Sequence, residues 1–230
     1  MVKHLFFIAG TDTDVGKTVI AAGLLAAANS RGLSTAAIKP IAAGCEQTAA
    51  GLRNSDALLL QQTMSLTLPY EQVNPVALQP AIAPHIAAEQ AGRRLLAAQL
   101  VGYCRGVLMQ RADLTIIEGA GGWRVPLNRV ETLASVAKEL QAPVVLVVGM
   151  KLGCINHALL TVEAIARDGV PLAGWVANQL DQAMPCYAEN LQTLKALIAA
   201  PCLGEVPFLA DPAPERVGSY LNLDLVINVS

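Results

Sequence analysis

The amino-acid sequence predicts an α/β fold in which helices cover both faces of one mostly parallel sheet. Short continuous apolar runs alternate with stretches of helical length, a pattern typical of parallel strands buried on two sides. The chain has 230 residues, of which 53% are hydrophobic and 15% charged, so it can bury a core of its own. The sequence contains no internal repeat, low-complexity tract or clear linker, and we interpret residues 1–230 as a single domain.

Six apolar runs are the predicted strands, and the stretches between them supply the helices. Each run ends in Gly, Pro or a polar residue, as expected where a buried strand reaches a loop. The predicted strands are residues 4–9, 35–38, 114–117, 144–148, 172–177 and 202–206. The predicted helices, which are amphipathic or rich in alanine, are residues 18–30, 95–111, 133–140, 155–167 and 188–199. The proline-rich interval 69–84 is interpreted as an ordered excursion over the surface.

Composition and charge argue against several classes of partner. The formal net charge is −2 and the isoelectric point is near 5.9, so we expect no nucleic-acid partner. The longest apolar run, residues 142–149, is far too short to span a bilayer, and we expect no membrane association. The N-terminal apolar run leads directly into a glycine loop and is interpreted as a strand rather than a signal peptide. The five cysteines include no Cys-x-x-Cys pair, which favours reduced thiols and a cytoplasmic location.

Residues with chemical potential gather at the downstream ends of the predicted strands. A glycine loop follows the first strand, Lys39 the second, Glu118 the third, Asn178 the fifth and Pro207 the sixth. Ligands of open α/β sheets bind in the crevice at the carboxyl ends of the strands. The sequence therefore predicts a binding site at this edge of the sheet.

The glycine loop reads GTDTDVGKT, residues 10–18, and ends like a phosphate-binding loop. Five residues rather than the usual four separate Gly10 from Gly16, so the first glycine is out of the common register, and two of the five are aspartates. Gly16 would allow close backbone approach, Lys17 would contact the β- and γ-phosphates, and Thr18 would ligate Mg²⁺. The acidic side chains are expected to point away from the phosphates, or toward a metal or a cationic substrate. We predict a P-loop NTPase-like site, the alternative being a turn with a chance Gly-Lys-Thr.

Three side chains beyond the loop are candidates for the chemistry. Lys39 precedes a proline that holds the chain extended, so it is expected to project toward the phosphates, although most lysines are solvated surface charges. Glu118 is expected to meet Mg²⁺, because a carboxylate followed by four small residues is hard to explain structurally. Asp56 has two possible roles that the residues alone do not distinguish. It could belong to the binding site, or it could stabilise the start of a helix electrostatically.

Several motifs occur in a fixed order along the chain. They are GTDTDVGKT at 10–18, KP at 39–40, GLRNSDA at 51–57, PHI at 84–86, EGAGGW at 118–123, KLGCINH at 151–157, GWVAN at 174–178 and LGEVP at 203–207. With them the sequence closely resembles the dethiobiotin synthetases, the ATP-dependent ring-closing enzymes of biotin synthesis. The resemblance runs from the first strand to about residue 207, and the longer acidic loop is that family's own version of the phosphate site.

The resemblance implies an ATP- and Mg²⁺-dependent ring closure. One amine of 7,8-diaminononanoate (7,8-diaminopelargonate) takes up CO₂ as a carbamate, which attacks the γ-phosphate of ATP to give a mixed carbamic–phosphoric anhydride. The second amine then closes the cyclic urea of dethiobiotin, and ADP and phosphate are released. Such a reaction needs positioning and charge neutralisation more than a strong base.

The family's site residues are carried over by their places in the matching motifs. Lys17 and Lys39 are the expected catalytic residues. Thr18, Asp56 and Glu118 are the expected Mg²⁺ ligands, an oxygen-only set that suits a hard cation. The expected nucleotide contacts are Thr13, Asp14, Val15, Gly16, Lys17, Thr18, Asp56, Glu118, Gly119, Ala120 and Gly121, with Asn178 at the adenine and Pro207, Phe208, Leu209 and Glu215 at the base and ribose. The expected substrate contacts are Ala43, Gly122, Gly153, Cys154, Ile155 and Asn156.

The family works as a homodimer in which the substrate tail reaches the facing subunit, and the resemblance implies the same here. Free N–H groups at the start of the predicted helix 155–167 would then receive the substrate carboxylate. The sequence departs from the family's pattern at three positions: Ala43 replaces a common serine that contacts the substrate, Asp14 is one methylene shorter than the usual glutamate, and Asn190 stands where some members place a tyrosine. We expect these departures to change substrate affinity rather than the class of reaction.

Three other classes of protein are alternatives. A regulatory or partitioning ATPase of the same P-loop superfamily would carry a lysine early in the loop, where Asp12 stands, and a basic or amphipathic C-terminal face, whereas residues 220–227 are short and not basic. A cobyrinate-type amidation enzyme would need a glutaminase domain, which we do not expect here. A nucleotide-binding module without turnover is the third. ATP hydrolysis that requires diamine and bicarbonate together would single out the synthetase.

Overall fold

A computed structural model describes residues 4–227 of the chain. Within that range the strands are β1 (His4–Gly10), β2 (Thr35–Ile38), β3 (Ile41–Ala42), β4 (Glu46–Thr48), β5 (Gly51–Arg53), β6 (Val76–Ala77), β7 (Leu114–Gly122), β8 (Val144–Met150), β9 (Leu172–Gln179) and β10 (Cys202–Val206). The helices are α1 (Lys17–Asn29), α2 (Ser55–Thr63), α3 (Tyr70–Val73), α4 (Pro84–Gln90), α5 (Ala97–Leu108), α6 (Ala134–Glu139), α7 (Cys154–Arg167), α8 (Tyr187–Leu197), α9 (Pro214–Gly218) and α10 (Leu223–Ile227).

Six strands form one parallel sheet in the order β10-β9-β8-β1-β7-β2. They are the six strands predicted from the sequence, and the α/β class with a mostly parallel sheet is confirmed. Every residue of β8 is buried, and successive side chains of a strand point to opposite faces. The sheet is therefore covered on both sides. The other strands make two small pairs, β3 with β6 and an antiparallel β4–β5 hairpin.

The five predicted helices correspond to α1, α5, α6, α7 and α8, with ends shifted by a few residues. The shorter helices carry too little periodic apolar sequence to be predicted. In α2, for example, only Ala57 and Leu60 are buried. The proline-rich interval 69–84 is ordered, as expected, and contains α3 and β6.

One continuous apolar core joins the sheet to its helices, from Phe6 in β1 to Val226 in α10. Such a single cluster is the pattern of one folded domain. The ring of Phe7 packs edge-on against Trp123, with centroids 6.1 Å apart, and this contact joins β1 to the residue that follows β7. Between residues 4 and 227, no helix is long and apolar enough to cross a bilayer.

The centre of the sheet is β1, which lies between β7 and β8. From β1 the chain passes to β2 on one side of the sheet, and the later strands β8, β9 and β10 lie in sequence on the other side. The strand order therefore reverses beside β1, and the crevice outside the carboxyl ends at such a reversal is the usual ligand site. The loop that follows β1 opens onto this crevice.

The helix α1 begins at the end of that loop and packs closely against α9. The contact is made through glycine: a Cβ at Gly23 would lie 2.6 Å from Val217 Cγ1, and a Cβ at Gly218 would lie 2.8 Å from the Gly23 oxygen. Because neither position has a side chain, the two helices approach within a distance that other residues would not allow. One of the last elements of the chain thus supports the helix that follows the phosphate loop.

Candidate active site

The loop between β1 and α1 is a tight turn with two left-handed residues. Gly16 has φ 88° and ψ 28°, in the region that favours glycine. A Cβ at Gly16 would also collide with the side-chain amide of Asn178. Asp14 has a φ of 56°, an uncommon conformation for a residue other than glycine. The loop is therefore shaped for close approach of a ligand to the start of α1, where helix N-termini bind phosphates.

Lys17, the first residue of α1, turns back over the loop. Its Nζ donates a hydrogen bond to the backbone oxygen of Asp12 at 2.9 Å, and the residue is buried. Burial lowers the pKa of Lys17 to about 8, and the nearby Glu118 carboxylate opposes this effect. The ammonium is thus held where the phosphates of a nucleotide at the start of α1 would meet it.

The Asp12 side chain stabilises the phosphate loop through two contacts. Its Oδ1 accepts a hydrogen bond from the Thr13 N–H at 2.8 Å, and its Oδ2 lies 3.1 Å from Nζ of Lys151, which follows β8. The Thr13 N–H, and next the Lys151 ammonium, hold the pKa of Asp12 below its ordinary value. The acid is therefore neutralised by a lysine of the same chain and points away from the phosphate site, one of the two expected orientations.

Lys39, Glu118, Asp56 and Thr18 form one charged cluster beside the loop. The Lys39 Nζ lies 2.5 Å from Glu118 Oε1 and 2.9 Å from Asp56 Oδ2. The Thr18 hydroxyl donates to the same Glu118 oxygen at 2.8 Å. Lys39 and Glu118 are buried; burial alone would lower the pKa of Lys39, but the Glu118 and Asp56 carboxylates raise it above its ordinary value. The lysine is therefore charged and is held between two carboxylates.

The structure brings the predicted metal ligands together around this lysine. Thr18, Asp56 and Glu118 offer a hydroxyl and two carboxylates, the oxygen donors that Mg²⁺ prefers. Among residues 4–227 there is no cluster of three or more His, Cys, Asp or Glu side chains that would hold a metal ion. The Glu118 Oε2 is buried and has no hydrogen-bond partner within the described chain, so one coordination position of this carboxylate is free.

A cavity of about 870 Å³ opens over the phosphate loop and this cluster. Many predicted residues line it: Thr13, Asp14, Gly16, Lys17, Thr18, Lys39, Ala43, Asp56, Glu118, Ala120 and Gly121. Its volume lies in the range of small-molecule sites, roughly 300–1,000 Å³. The cavity therefore places the phosphate loop, both catalytic candidates and the three metal-ligand candidates around one space.

The far wall of this cavity was not predicted from the sequence as a site. It is formed by Val19, Ala42, Ala81, Ile82, Ala83, Pro84, Val125 and Pro126. These side chains are apolar, so they carry no chemistry that a single sequence reveals. The motifs PHI at 84–86 and EGAGGW at 118–123 lie beside these segments and were the available signals.

The residues predicted at the adenine and ribose lie at the same edge of the sheet, outside this cavity. Asn178, near the end of β9, is buried and donates from Nδ2 to the Val15 oxygen at 2.9 Å. The stretch Pro207, Phe208 and Leu209 follows β10, which pairs with β9. Glu215 lies in the first turn of α9 and is exposed. The structure thus joins Asn178 to the phosphate loop, and the other assignments stay predictions.

The residues predicted at the substrate tail lie at the start of α7, also outside the cavity. Gly153 has φ 94° and precedes the helix, Cys154 is buried, and Asn156 is exposed. The Cys154 Sγ lies 4.0 Å from the Asn190 Oδ1. Gly122 lines a separate cavity of about 330 Å³ between the phosphate loop and α7. Only Ala43 of the predicted substrate contacts lines the main cavity.

The fold and this site define a nucleotide-binding protein of the P-loop NTPase class. Two solved structures have similar folds: a ParA family ATPase from Chlorobium tepidum, with a TM-score of 0.53 and 14% identity over 99% of this chain and 94% of that one, and the signal recognition particle receptor FtsY from Elizabethkingia anophelis, with a TM-score of 0.52 and 17% identity over 95% of this chain and 65% of that one. At these identities the likeness concerns the fold alone.

Sequence comparison gives the family. A family model described as an AAA domain matches residues 4–216. The chain is 62% identical to the ATP-dependent dethiobiotin synthetase BioD of Cellvibrio japonicus, over 97% of each chain. It is 62% identical to the protein of the same name from Pseudomonas paraeruginosa, over 95% of this chain and 96% of the relative. The chain belongs to the family of ATP-dependent dethiobiotin synthetases, and it is an ATP-dependent ligase of biotin biosynthesis.

Proposed function

We propose that the protein catalyses the ATP- and Mg²⁺-dependent ring closure of 7,8-diaminononanoate with CO₂ to dethiobiotin, with release of ADP and phosphate. The observation that carries the proposal is the convergence of Lys17, Lys39 and Glu118 on one cavity at the start of α1. In this proposal residues 1–230 act as one catalytic domain. The names of relatives at 62% identity support the same reaction.

The first steps bring together two anions. One amine adds to CO₂ and loses a proton, which gives a carbamate. A carbamate oxygen then bonds to the γ-phosphorus of ATP while the bond from that phosphorus to ADP breaks. Because both groups are negative, their approach needs fixed positive charge in a site that excludes water. In this proposal Lys17 holds the phosphates at the start of α1, and Lys39, from the end of β2, faces the carbamate.

The last step closes the ring. The nitrogen of the second amine bonds to the carbonyl carbon of the mixed anhydride, phosphate leaves, and the nitrogen loses a proton. Positioning the two reacting groups within one molecule of substrate supplies much of the rate. The apolar residues 81–84 and 125–126 line the same cavity as the charged cluster and suit the hydrocarbon part of the diamine.

Mg²⁺ fits the oxygen atoms that Thr18, Asp56 and Glu118 bring together. A buried carboxylate oxygen without a partner, such as Glu118 Oε2, is costly unless a cation or donor reaches it. Two carboxylates and a hydroxyl suit Mg²⁺, which takes few protein ligands and keeps several waters. When bound, the ion neutralises charge on the β- and γ-phosphates.

We also propose a homodimer in which α7 serves the partner's cavity. The start of α7 does not line the cavity of its own chain, and the proposal therefore assigns the substrate contacts from Gly153 to Asn156 to a second copy. Leu152, just before α7, is 94% exposed, and Leu160, in the middle of α7, is 56% exposed. Exposed apolar side chains along one helix fit a protein interface. The five cysteines form no disulfide, which is consistent with the reducing cytoplasm as the site of action.

The test is product formation under omission of each reactant. The protein is incubated with ATP, Mg²⁺, bicarbonate and the diamine, and the cyclic urea is measured by mass spectrometry beside phosphate release. We expect dethiobiotin only when all are present, with one phosphate released per urea. A regulatory or partitioning ATPase would instead release phosphate without the diamine, and a binding module would release none.

A further inference from the structure

A second cavity, of about 400 Å³, is lined by three arginines. Arg93, Arg94 and Arg129 line it together with one carboxylate residue, Glu89. None of the three guanidinium groups has an ion-pair or hydrogen-bonded partner among residues 4–227. We propose that this cavity binds a small polyanion that carries phosphate or carboxylate groups.

Two ordered turns bring the arginines together. The first turn ends α4, where Gly92 has φ 64° and the Arg93 N–H donates to the Ala88 oxygen at 2.8 Å. The second turn carries Arg129 and is closed by Asn128, whose Oδ1 accepts from the N–H of Val130 at 3.0 Å. These hydrogen bonds fix the backbone from which the guanidinium groups extend.

A further hydrogen bond ties the two turns to each other. The Asn128 Nδ2 donates to the Leu95 oxygen at 2.9 Å. Leu95 and Leu127 are buried and form an apolar floor. Arg129, which is 35 residues from Arg94 in the sequence, therefore faces the same cavity as Arg93 and Arg94 because of the fold.

The charge and shape of this cavity select its ligand. Three guanidinium groups against one carboxylate leave an excess positive charge in a protein whose net charge is −2. A guanidinium group presents a rigid fork of donors that matches carboxylate and phosphate oxygens. The half-buried His85 ring lines the same cavity, and its Nδ1 has no hydrogen-bond partner in the described chain. A small ligand with at least two negative groups satisfies these donors best.

The second cavity shares two segments with the catalytic cavity. Pro84 lines the catalytic cavity and the next residue, His85, lines the second one. In the same way Pro126 lines the catalytic cavity, and the next residue, Leu127, lines the second cavity. An anion held by the arginines would therefore contact the outer ends of two segments whose inner ends form the catalytic wall. This inference does not depend on the proposed reaction.

The test measures anion binding with the phosphate loop already filled. The protein is saturated with Mg²⁺ and a non-hydrolysable ATP analogue, and inorganic phosphate and citrate are titrated separately by calorimetry. We expect saturable binding of at least one of them, and the responding anion identifies phosphate or carboxylate as the preferred group. The double variant Arg93→Gln/Arg129→Gln is expected to weaken it roughly ten- to a hundredfold, since a charge-assisted hydrogen bond contributes about 1.5–3 kcal/mol.

The matched control is Arg105→Gln/Arg167→Gln, which removes the same charge from two exposed arginines outside the cavity. We expect this control to bind the anion as the wild type does. Both double variants should unfold at the wild-type temperature, because exposed unpaired side chains contribute little to stability. Absence of saturable binding in the wild type, or equal weakening in the two double variants, would overturn the proposal.

Discussion

Lys39 and Glu118 form a buried ion pair with 2.5 Å between Nζ and Oε1. The same ammonium lies 2.9 Å from Asp56 Oδ2, so it stands between the two carboxylates that are the candidate Mg²⁺ ligands. A metal ion bound to both carboxylates would compete with this ammonium. The lysine displaced by the metal is also the one proposed to face the carbamate.

The first prediction concerns this competition. Without nucleotide, Lys39→Gln is expected to bind Mg²⁺ at least about tenfold more tightly than the wild type, because a competing buried charge is removed. Calorimetric titration measures the affinity, and the rise of the unfolding temperature with Mg²⁺ gives a second readout. Lys17→Gln is the control of equal charge, since Lys17 donates to a backbone oxygen. Equal gains in both variants would mean that the ion pair is not what limits metal binding.

The second prediction separates synthesis from nucleotide binding. Lys39→Gln is expected to bind ATP almost normally in saturating Mg²⁺ and to form dethiobiotin about 10²–10³ times more slowly, because a charge contact made mainly in the transition state lowers kcat. Lys17→Gln is expected to lose nucleotide affinity itself. Calorimetry and mass spectrometry give the two quantities. Near-full synthesis by Lys39→Gln would remove this lysine from the mechanism.

The third prediction concerns the metal ligand. Glu118→Gln is expected to raise the Mg²⁺ concentration that gives half-maximal activity, because the buried oxygen available to the ion loses its charge. The substitution keeps the shape of the side chain and the Thr18 contact, so circular dichroism should show an intact fold. Activity is measured across a Mg²⁺ titration at saturating ATP. An unchanged metal dependence would exclude Glu118 from the ligands.

The fourth prediction follows from the pKa of Lys17, which burial lowers from 10.5 to about 8. Above pH 8 the free protein holds Lys17 neutral, whereas an anionic nucleotide favours the charged form. ATP affinity is therefore expected to fall with rising pH above about 8, by up to about tenfold per pH unit, with uptake of a proton on binding. Calorimetry in buffers of different ionisation enthalpy measures both. The Lys17→Gln variant should show neither effect.

The lowered pKa of Lys17 has the opposite effect on folding stability from its effect on ATP affinity. Between about pH 8 and 10.5 the unfolded chain binds more protons at Lys17 than the folded protein does, so this group's contribution to stability increases as pH rises through that window. ATP affinity is therefore expected to fall above pH 8 while the protein stays folded. The unfolding temperature measured at each pH distinguishes weaker binding from loss of the fold.

The fifth prediction concerns the shape of the phosphate loop. Gly16→Ala is expected to abolish measurable nucleotide binding, because the added Cβ collides with the Asn178 amide and the backbone is left-handed. Gly32→Ala is the matched control, with φ 75° and nothing near its Cβ. The control should cost only about 1 kcal/mol of conformational strain and bind nucleotide normally. Equal loss of binding in both would show that the collision with Asn178 is unimportant.

The sequence predicted those parts of the site that depend on strand ends. Lys39 follows β2, and Glu118 lies within β7, directly after the predicted strand 114–117. Parallel strands present their carboxyl ends at one edge, so the closeness of these residues follows from the order of elements. The Asp12–Lys151 pair was not predicted, because it joins two loops whose paths no periodic pattern records. The apolar wall around Ala83 and Pro126 was missed for the same reason, since its residues are recognisable only by their position in space.

The glycine contact between α1 and α9 affects the order in which parts of the protein can pack during synthesis. Gly218 and Val217 lie near the end of the chain, yet they pack on the helix that follows the phosphate loop. Chains fold from the N-terminus while they are synthesised, so most of the sheet can form before these residues leave the ribosome. The glycine contact that supports the helix after the phosphate loop can therefore form only after residues 217 and 218 have been synthesised, about 190 residues later than α1 itself.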